Sequence, residues 1–174
     1  MHSLADRLAR GDDSAFAELY DACADRLYRY AAARLGSRDA AADVVQTAFM
    51  RAVKSRKKFR GIKNPVAYLF QIARNETLRA ATLRKRQPIE LAAADTIQHE
   101  ADNEAGADDA EALAVALAKL DDADREIVEL KTYAGLTFAE IATVLDRPPG
   151  TVATRYRRAL ESLREWLQRE LSRE

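Results

Sequence analysis

Thr137-Phe138-Ala139-Glu140-Ile141-Ala142-Thr143-Val144-Leu145, followed by Asp146-Arg147-Pro148-Pro149-Gly150 and then Thr151-Val152, is the stretch on which the fold turns. A hydroxyl residue with a carboxylate three positions later is a capping box, so a helix opens after Thr137. Phe138, Ile141, Ala142 and Leu145 fall on one side of that short helix. Asp146 to Gly150 is a turn, because two consecutive prolines and a glycine interrupt any helix there. A longer helix follows, with Val152, Tyr156, Ala159, Leu160, Leu163 and Leu167 at helical spacing. Two helices joined tightly, the second longer, form a helix-turn-helix. Ala142, ten positions before Val152, is small enough to let the two helices approach. The exposed N-terminal side of the second helix offers Thr151, Thr154 and Arg158, with Arg155 on the flank. Arginine there can pair with guanine in a major groove. Arg157 points elsewhere and suits a phosphate.

The 174-residue composition is that of helices. Alanine (35) and leucine (19) far outnumber valine (8) and isoleucine (6), with only six glycines and four prolines. An all-α protein of two small helical domains is expected. One cysteine, Cys23, leaves no internal disulfide, and with two distant histidines no zinc site is legible. Cys23 lies within an apolar stripe and reads as a small core residue. No run approaches the ~20 apolar residues of a membrane span, and the N-terminal residues lack the apolar core of a signal peptide. A cytoplasmic location without membrane insertion is the expectation.

Working back towards the N-terminus, Asp12-Asp13-Ser14 caps a helix with Phe16, Leu19, Tyr20, Cys23, Leu27, Tyr30 and Ala31 on its buried face, ended by Gly36. Ser37 caps the next helix, which buries Ala41, Val44, Val45, Ala48, Phe49 and Ala52. Its other face carries Asp43, Gln46 and Met50, an adaptable thioether among polar groups that hints at a protein partner. A basic loop, residues 55–63, leads to Asn64-Pro65, an N-cap and first helical residue. The helix after it should bury Val66, Leu69, Ile72, Ala73, Ala80 and Leu83. Winding it at about 100° per residue puts Tyr68, Asn75, Arg79, Thr82 and Arg86 on one outward stripe. Aromatic, amide and guanidinium groups together can stack on bases, bond their edges and neutralise phosphates.

Equal numbers of basic and acidic residues, 28 each, conceal a partition. Residues 1–90 carry +8, residues 91–126 carry −9 and residues 127–174 carry +1. Between Arg51 and Arg86 there are twelve basic residues against Glu76 alone. Such asymmetry suggests polyanion-binding modules beside a segment unable to bind nucleic acid. Residues 88–112, polar and acidic with Pro88 and Gly106 as breakers, are expected to be a flexible linker holding two cationic surfaces apart. The domains then run 1–87 and 113–174.

At this point the chain resembles a bacterial sigma factor of the extracytoplasmic-function (ECF) type, a small two-domain member of the sigma-seventy family. Asp43-Val44-Val45-Gln46-Thr47-Ala48-Phe49 is similar to the family's core-binding helix in region two. Asn64-Pro65-Val66-Ala67-Tyr68-Leu69 and Ile72-Ala73-Arg74-Asn75 resemble the stretch that melts and reads the minus-ten element. Glu140-Ile141-Ala142 and Gly150-Thr151-Val152 with Arg155 resemble region four, which reads the minus-thirty-five element. The resemblance implies a non-enzymatic initiation subunit with no cofactor and no metal. Its partners would be core RNA polymerase, promoter DNA and, in some members, an anti-sigma factor. Asp43, Gln46 and Met50 would face the polymerase. The loop Phe59–Asn64, with Arg60 and Lys63, would form the pocket for a flipped minus-ten base, with Asn75 and Arg79 beside it, and Lys58, Tyr68, Arg74 and Arg86 would also meet the minus-ten DNA. Thr151, Thr154, Arg155, Arg157 and Arg158 would meet the minus-thirty-five duplex. The acidic linker would thread a basic polymerase channel. Tyr68 stands where the family usually has tryptophan, and Arg79 where aspartate is usual.

Two other classes are weighed. An autonomous helix-turn-helix regulator would dimerise on palindromic half-sites, which leaves the basic first half and the Asp43/Gln46/Met50 face unexplained. An enzyme acting on nucleic acid would need a metal or nucleophile constellation, and no such arrangement is legible.

Overall fold

The computed structural model describes residues 3–86 and 107–172. All regular structure among them is helical. The N-terminal half comprises α1 (Leu4–Arg10), α2 (Asp13–Leu35), α3 (Arg38–Lys54), a single 3₁₀ turn (Arg56–Phe59) and α4 (Pro65–Arg86). The C-terminal half comprises α5 (Ala107–Lys119), α6 (Asp122–Thr132), α7 (Phe138–Leu145) and α8 (Pro149–Leu171).

Most boundaries are set by side chains that satisfy the otherwise unpaired N–H groups of a first helical turn. The Asp12 carboxylate accepts from the N–H groups of Ser14 and Ala15, and the Ser37 hydroxyl from that of Ala40. Asn64 caps α4 by accepting from the Ala67 N–H at 3.0 Å, directly ahead of Pro65. Thr137 and Glu140 form the expected capping box, each side chain taking the other's N–H. Left-handed backbone closes several turns. Gly36 closes α2 at φ 60°, and Asp146 closes α7 at φ 51°, a conformation aspartate tolerates better than most residues. Ser3 opens α1, a short helix that the sequence pattern did not separate from the chain ahead of α2.

The core of the N-terminal half is built by Leu19, Cys23, Leu27 and Tyr30 of α2, Ala48 and Ala52 of α3, Phe59, and Leu69, Phe70 and Ala73 of α4. Several positions depart from expectation. Tyr20 is half exposed instead of buried, Leu83 is 61% exposed, Leu160 of α8, expected to be buried, is exposed, and Ala67 and Phe70 are fully buried although the pattern omitted them. Leu83 lies in the distal part of α4, where residues 82–86 are all exposed. A second cluster, with Leu117, Val128, Ala159 and Leu163 at its centre and Trp166 against it, joins α5, α6 and α8.

The charge partition predicts separated halves, yet here they pack together. Ile127 and Leu130 of α6, Leu136, and Ile141 and Val144 of α7 belong to the same apolar cluster as the α2–α4 core. Burying side chains of this size contributes about 1.5–3 kcal/mol each, so joining the two faces is strongly favoured once their polar groups are matched. The acidic segment expected as a linker lies largely outside the described residues. Its last part, residues 107–112, forms the start of α5.

Candidate nucleic-acid interface

Three surfaces carry the residues singled out above. The first is centred on α4. The 3₁₀ turn after α3 exposes Lys58 and drives Phe59 inward, where its ring is fully buried. Phe59 meets Phe16 edge-on at 6.2 Å and Tyr68 edge-on at 5.1 Å. It therefore props Tyr68 from beneath instead of facing solvent. Arg60 and Lys63 are exposed on the loop. Lys58, Tyr68, Asn75 and Arg79 converge on an open hollow of about 580 Å³, shared with Arg51, Lys54 and Gln71. The single acid of this basic segment, Glu76, lies on its floor and pairs with Arg51 at 3.0 Å and Arg79 at 3.4 Å. Glu76 thus fixes two guanidinium groups at the rim. Arg86 lies exposed at the far end of the helix.

Two residues of this set are engaged elsewhere. Arg74 projects towards α6 and makes a two-pronged pair with Glu126, at 2.7 Å through Nε and 3.0 Å through its terminal nitrogen. Those hydrogen bonds raise its already high pKa. Asn64, besides capping α4, donates through Nδ2 to Glu140 Oε1 at 3.1 Å. Burial alone would push the Glu140 carboxyl up. Hydrogen bonds from the Thr137 N–H and from Asn64 outweigh it and hold the group below its ordinary range.

The second surface is the N-terminal part of α8. Thr151, Thr154, Arg157 and Arg158 are exposed. Arg155 is not free: its Nε donates to Asp124 Oδ1 at 2.6 Å, and a terminal nitrogen lies 3.5 Å from Asp121. It ties the longer helix of the helix-turn-helix to the start of α6, and Arg158 approaches the other Asp124 oxygen at 3.9 Å. The acids at positions 121 and 124 are the positioning groups that sequence reasoning missed. Asp121 caps α6, and an acid at a cap is ordinary, so only the fold reveals the second use.

The third surface is a groove between α2 and α3 of about 930 Å³. Gln46 and Met50 line it, and Asp43 is exposed on the same helix one turn earlier. Tyr20 and Phe49 form its aromatic wall, with ring centroids 4.9 Å apart, and Val53 continues it. Tyr20, Met50 and Val53 are about half exposed. An exposed cluster of this kind on one face marks an interaction surface. Tyr20 falls on the expected buried stripe by spacing, and nothing in a one-dimensional pattern distinguishes a groove wall from a core position. Among the described residues no group of acids, histidines or cysteine could hold a metal ion, and no helix is long and apolar enough to cross a membrane.

Residues 19–88 match the model for sigma-70 region 2, and residues 110–163 match that for sigma-70 region 4. The ECF RNA polymerase sigma factor SigW of Bacillus subtilis is 30% identical, covering 93% of this chain and 94% of its own. SigL of Mycobacterium tuberculosis is 34% identical, over 86% of this chain and 87% of its own. Among solved structures, CnrH in complex with the cytosolic domain of CnrY has a TM-score of 0.72 at 26% identity, covering 95% of both chains. The sigma factor RpoE of Bartonella quintana, solved with the anti-sigma factor NepR, has a TM-score of 0.66 at 27% identity. It covers 87% of this chain and 95% of its own. With both regions present in order and relatives matched over nearly their full length, the chain belongs to the ECF group of the sigma-70 family of RNA polymerase sigma factors.

Proposed function

We propose that this sigma factor docks on core RNA polymerase through the α2–α3 groove and directs initiation by reading two promoter elements. The observation that carries the reading is the basic hollow on α4. Lys58, Tyr68, Asn75 and Arg79 gather there around a wall firm enough to hold an unstacked base. Lysine and arginine supply phosphate neutralisation, tyrosine a stacking plane, and asparagine a base-edge partner. Asn64 and Arg74 extend that surface once their present carboxylate partners withdraw. The exposed Thr151, Thr154, Arg157 and Arg158 of α8 serve the upstream duplex. Asp124 aims Arg155 from behind.

Polymerase is the fitting occupant of the groove, because Gln46 and Met50 combine an apolar, deformable wall with polar rim groups. An anti-sigma protein, as found with the Bartonella relative, is a further partner in this reading. The chain itself performs no chemistry in this scheme: specificity and strand capture are binding events.

Transcription in vitro with purified core polymerase, this chain and genomic DNA, with start sites mapped, tests the reading. Start sites sharing two upstream elements support it. Polymerase output unchanged by the chain refutes it.

A further inference from the structure

Glu76 is the sole acid in the basic stretch from Arg51 to Arg86, and it is only 9% exposed. A buried carboxylate is unfavourable unless paired, so its partners show what it is for. Two other buried glutamates, Glu126 and Glu129, hold arginines of the opposite half, Arg74 at 2.7 Å and Arg34 at 2.9 Å. Glu76 is different, because both its arginines lie in its own half. Its Oε1 faces Nη1 of Arg51 on α3 at 3.0 Å and Nη1 of Arg79 on α4 at 3.4 Å. Those side chains are 48% and 61% exposed, and both line the basic hollow with it.

Folding gains little from this arrangement. Ion pairs with exposed arginines contribute little to stability, and α3 and α4 already share an apolar core through Ala48, Ala52 and Ala73. Two guanidinium groups drawn to one oxygen repel each other, and a second anion placed against both would relieve that repulsion. An arginine has five N–H donors, so contact through one nitrogen leaves others for a ligand. Long side chains lose rotamer freedom when they bind, and a pair already held by Glu76 has less to lose.

We propose that Glu76 is a positioning residue: it presets Arg51 and Arg79 as a clamp for one backbone phosphate of an opened DNA strand, beside Tyr68 and Asn75. This rests on the function proposed above for the α4 hollow and assigns the group that orders it. Phosphate oxygens suit paired guanidinium donors. Tyr68 offers a stacking plane for the adjoining base, which favours a strand over a free anion. The clamp also brings α3 to nucleic acid. Asp43, Gln46 and Met50 turn that helix towards a protein partner, yet Arg51 and Lys54 near its end line the hollow. Lys54 borders the α2–α3 groove as well.

The test uses the full chain, alone and with core polymerase. Its forms are unaltered, Glu76→Ala, Glu76→Gln, Arg51→Ala with Arg79→Ala, and that pair with Glu76→Ala added. The probe is a fluorescent single-stranded DNA of random sequence, followed by anisotropy over a range of salt. Removing an acid makes the surface more positive, so bulk electrostatics demands tighter binding from Glu76→Ala. Positioning demands the opposite: about tenfold weaker binding at low salt, the scale of one charge-assisted contact. The slope of log affinity against log salt should also become shallower by about 0.7, the share of one phosphate. Glu76→Gln keeps the shape without the charge and should fall between; it carries the test if Glu76→Ala loses helicity. Once both arginines are gone, deleting Glu76 should no longer weaken binding. Equal or tighter binding by the Glu76 variants would overturn the proposal. An undiminished loss in the background lacking both arginines would overturn it too, since a purely structural role predicts that result. Displacement of the DNA by inorganic phosphate at matched ionic strength would overturn the assignment to a strand. Transcription with core polymerase is run in parallel. A Glu76-dependent clamp without start sites would remove the promoter role and leave the positioning intact. Normal start sites with binding indifferent to Glu76 would do the reverse, and no DNA binding by the unaltered chain in either setting would overturn both.

Discussion

Replacing Phe59 with alanine separates two roles for this residue, core support and contact with a base in the proposed DNA-binding loop. If its ring faced an extruded base, removal would weaken DNA binding and leave folding within about ±0.5 kcal/mol, as for surface positions generally. The structure instead buries the ring fully, between Phe16 and Tyr68. Truncating a buried phenylalanine costs about 3–5 kcal/mol. The two edge-on ring contacts place this site towards the upper half of that range. With a urea dependence of about 2 kcal/mol per molar for a domain of this size, a loss near 4 kcal/mol lowers the unfolding midpoint by about 2 M. Helix circular dichroism in urea measures it, and Phe59→Leu, which keeps most of the volume, should recover more than half the shift. A midpoint displaced by less than about 0.3 M, accompanied by weaker DNA binding, would refute the assignment of Phe59 to the core.

Thr137→Ala removes the hydroxyl that accepts the Glu140 N–H and should cost about 1 kcal/mol, read from thermal or urea unfolding. Arg158→Ala should lower transcription from a cognate promoter by the equivalent of about 1–3 kcal/mol, the scale of one bidentate base contact. Loss confined to promoters with an intact upstream element is the expected pattern, and unchanged output excludes Arg158 from recognition. Hydrogen bonds from the Ser14 hydroxyl and Arg7 hold the Asp12 carboxyl at about 2, against its ordinary 3.8. A carboxyl depressed by folding stabilises above the ordinary value, so its contribution fades as pH falls from about 4 towards 2. Carboxyl resonances followed by NMR should show this displaced titration, and Asp12→Asn should abolish the pH dependence of α1–α2 protection over that window.

Local signals in this chain were legible where one residue decides the backbone. Thr137 and Glu140 announce the start of α7, Asn64-Pro65 that of α4, and Gly36 the end of α2, each through hydrogen bonds or φ angles that belong to a few neighbours. The candidate surfaces on α4 and α8 followed from helical winding for the same reason. The start of α5 was hidden because Asp108, Asp109 and Glu111 look like a solvated acidic run, although acids also favour the first turn of a helix. The partners of Arg34 and Arg74 were out of reach for a different reason. Glu126 and Glu129 are buried charges, rare unless paired, and their partners on α2 and α4 are supplied from about fifty to a hundred positions away. Nothing along the chain marks those carboxylates apart from the many others that stay wet.

Trp166 is the chain's sole tryptophan and packs in the α5–α6–α8 cluster, away from the core that joins the halves. Its emission is therefore a built-in optical probe of region four alone, whereas far-ultraviolet ellipticity averages every helix. Superimposable melting curves from the two signals would mean that the regions come apart and unravel in one concerted event. An earlier ellipticity transition would instead time the loss of region two while its neighbour stays folded.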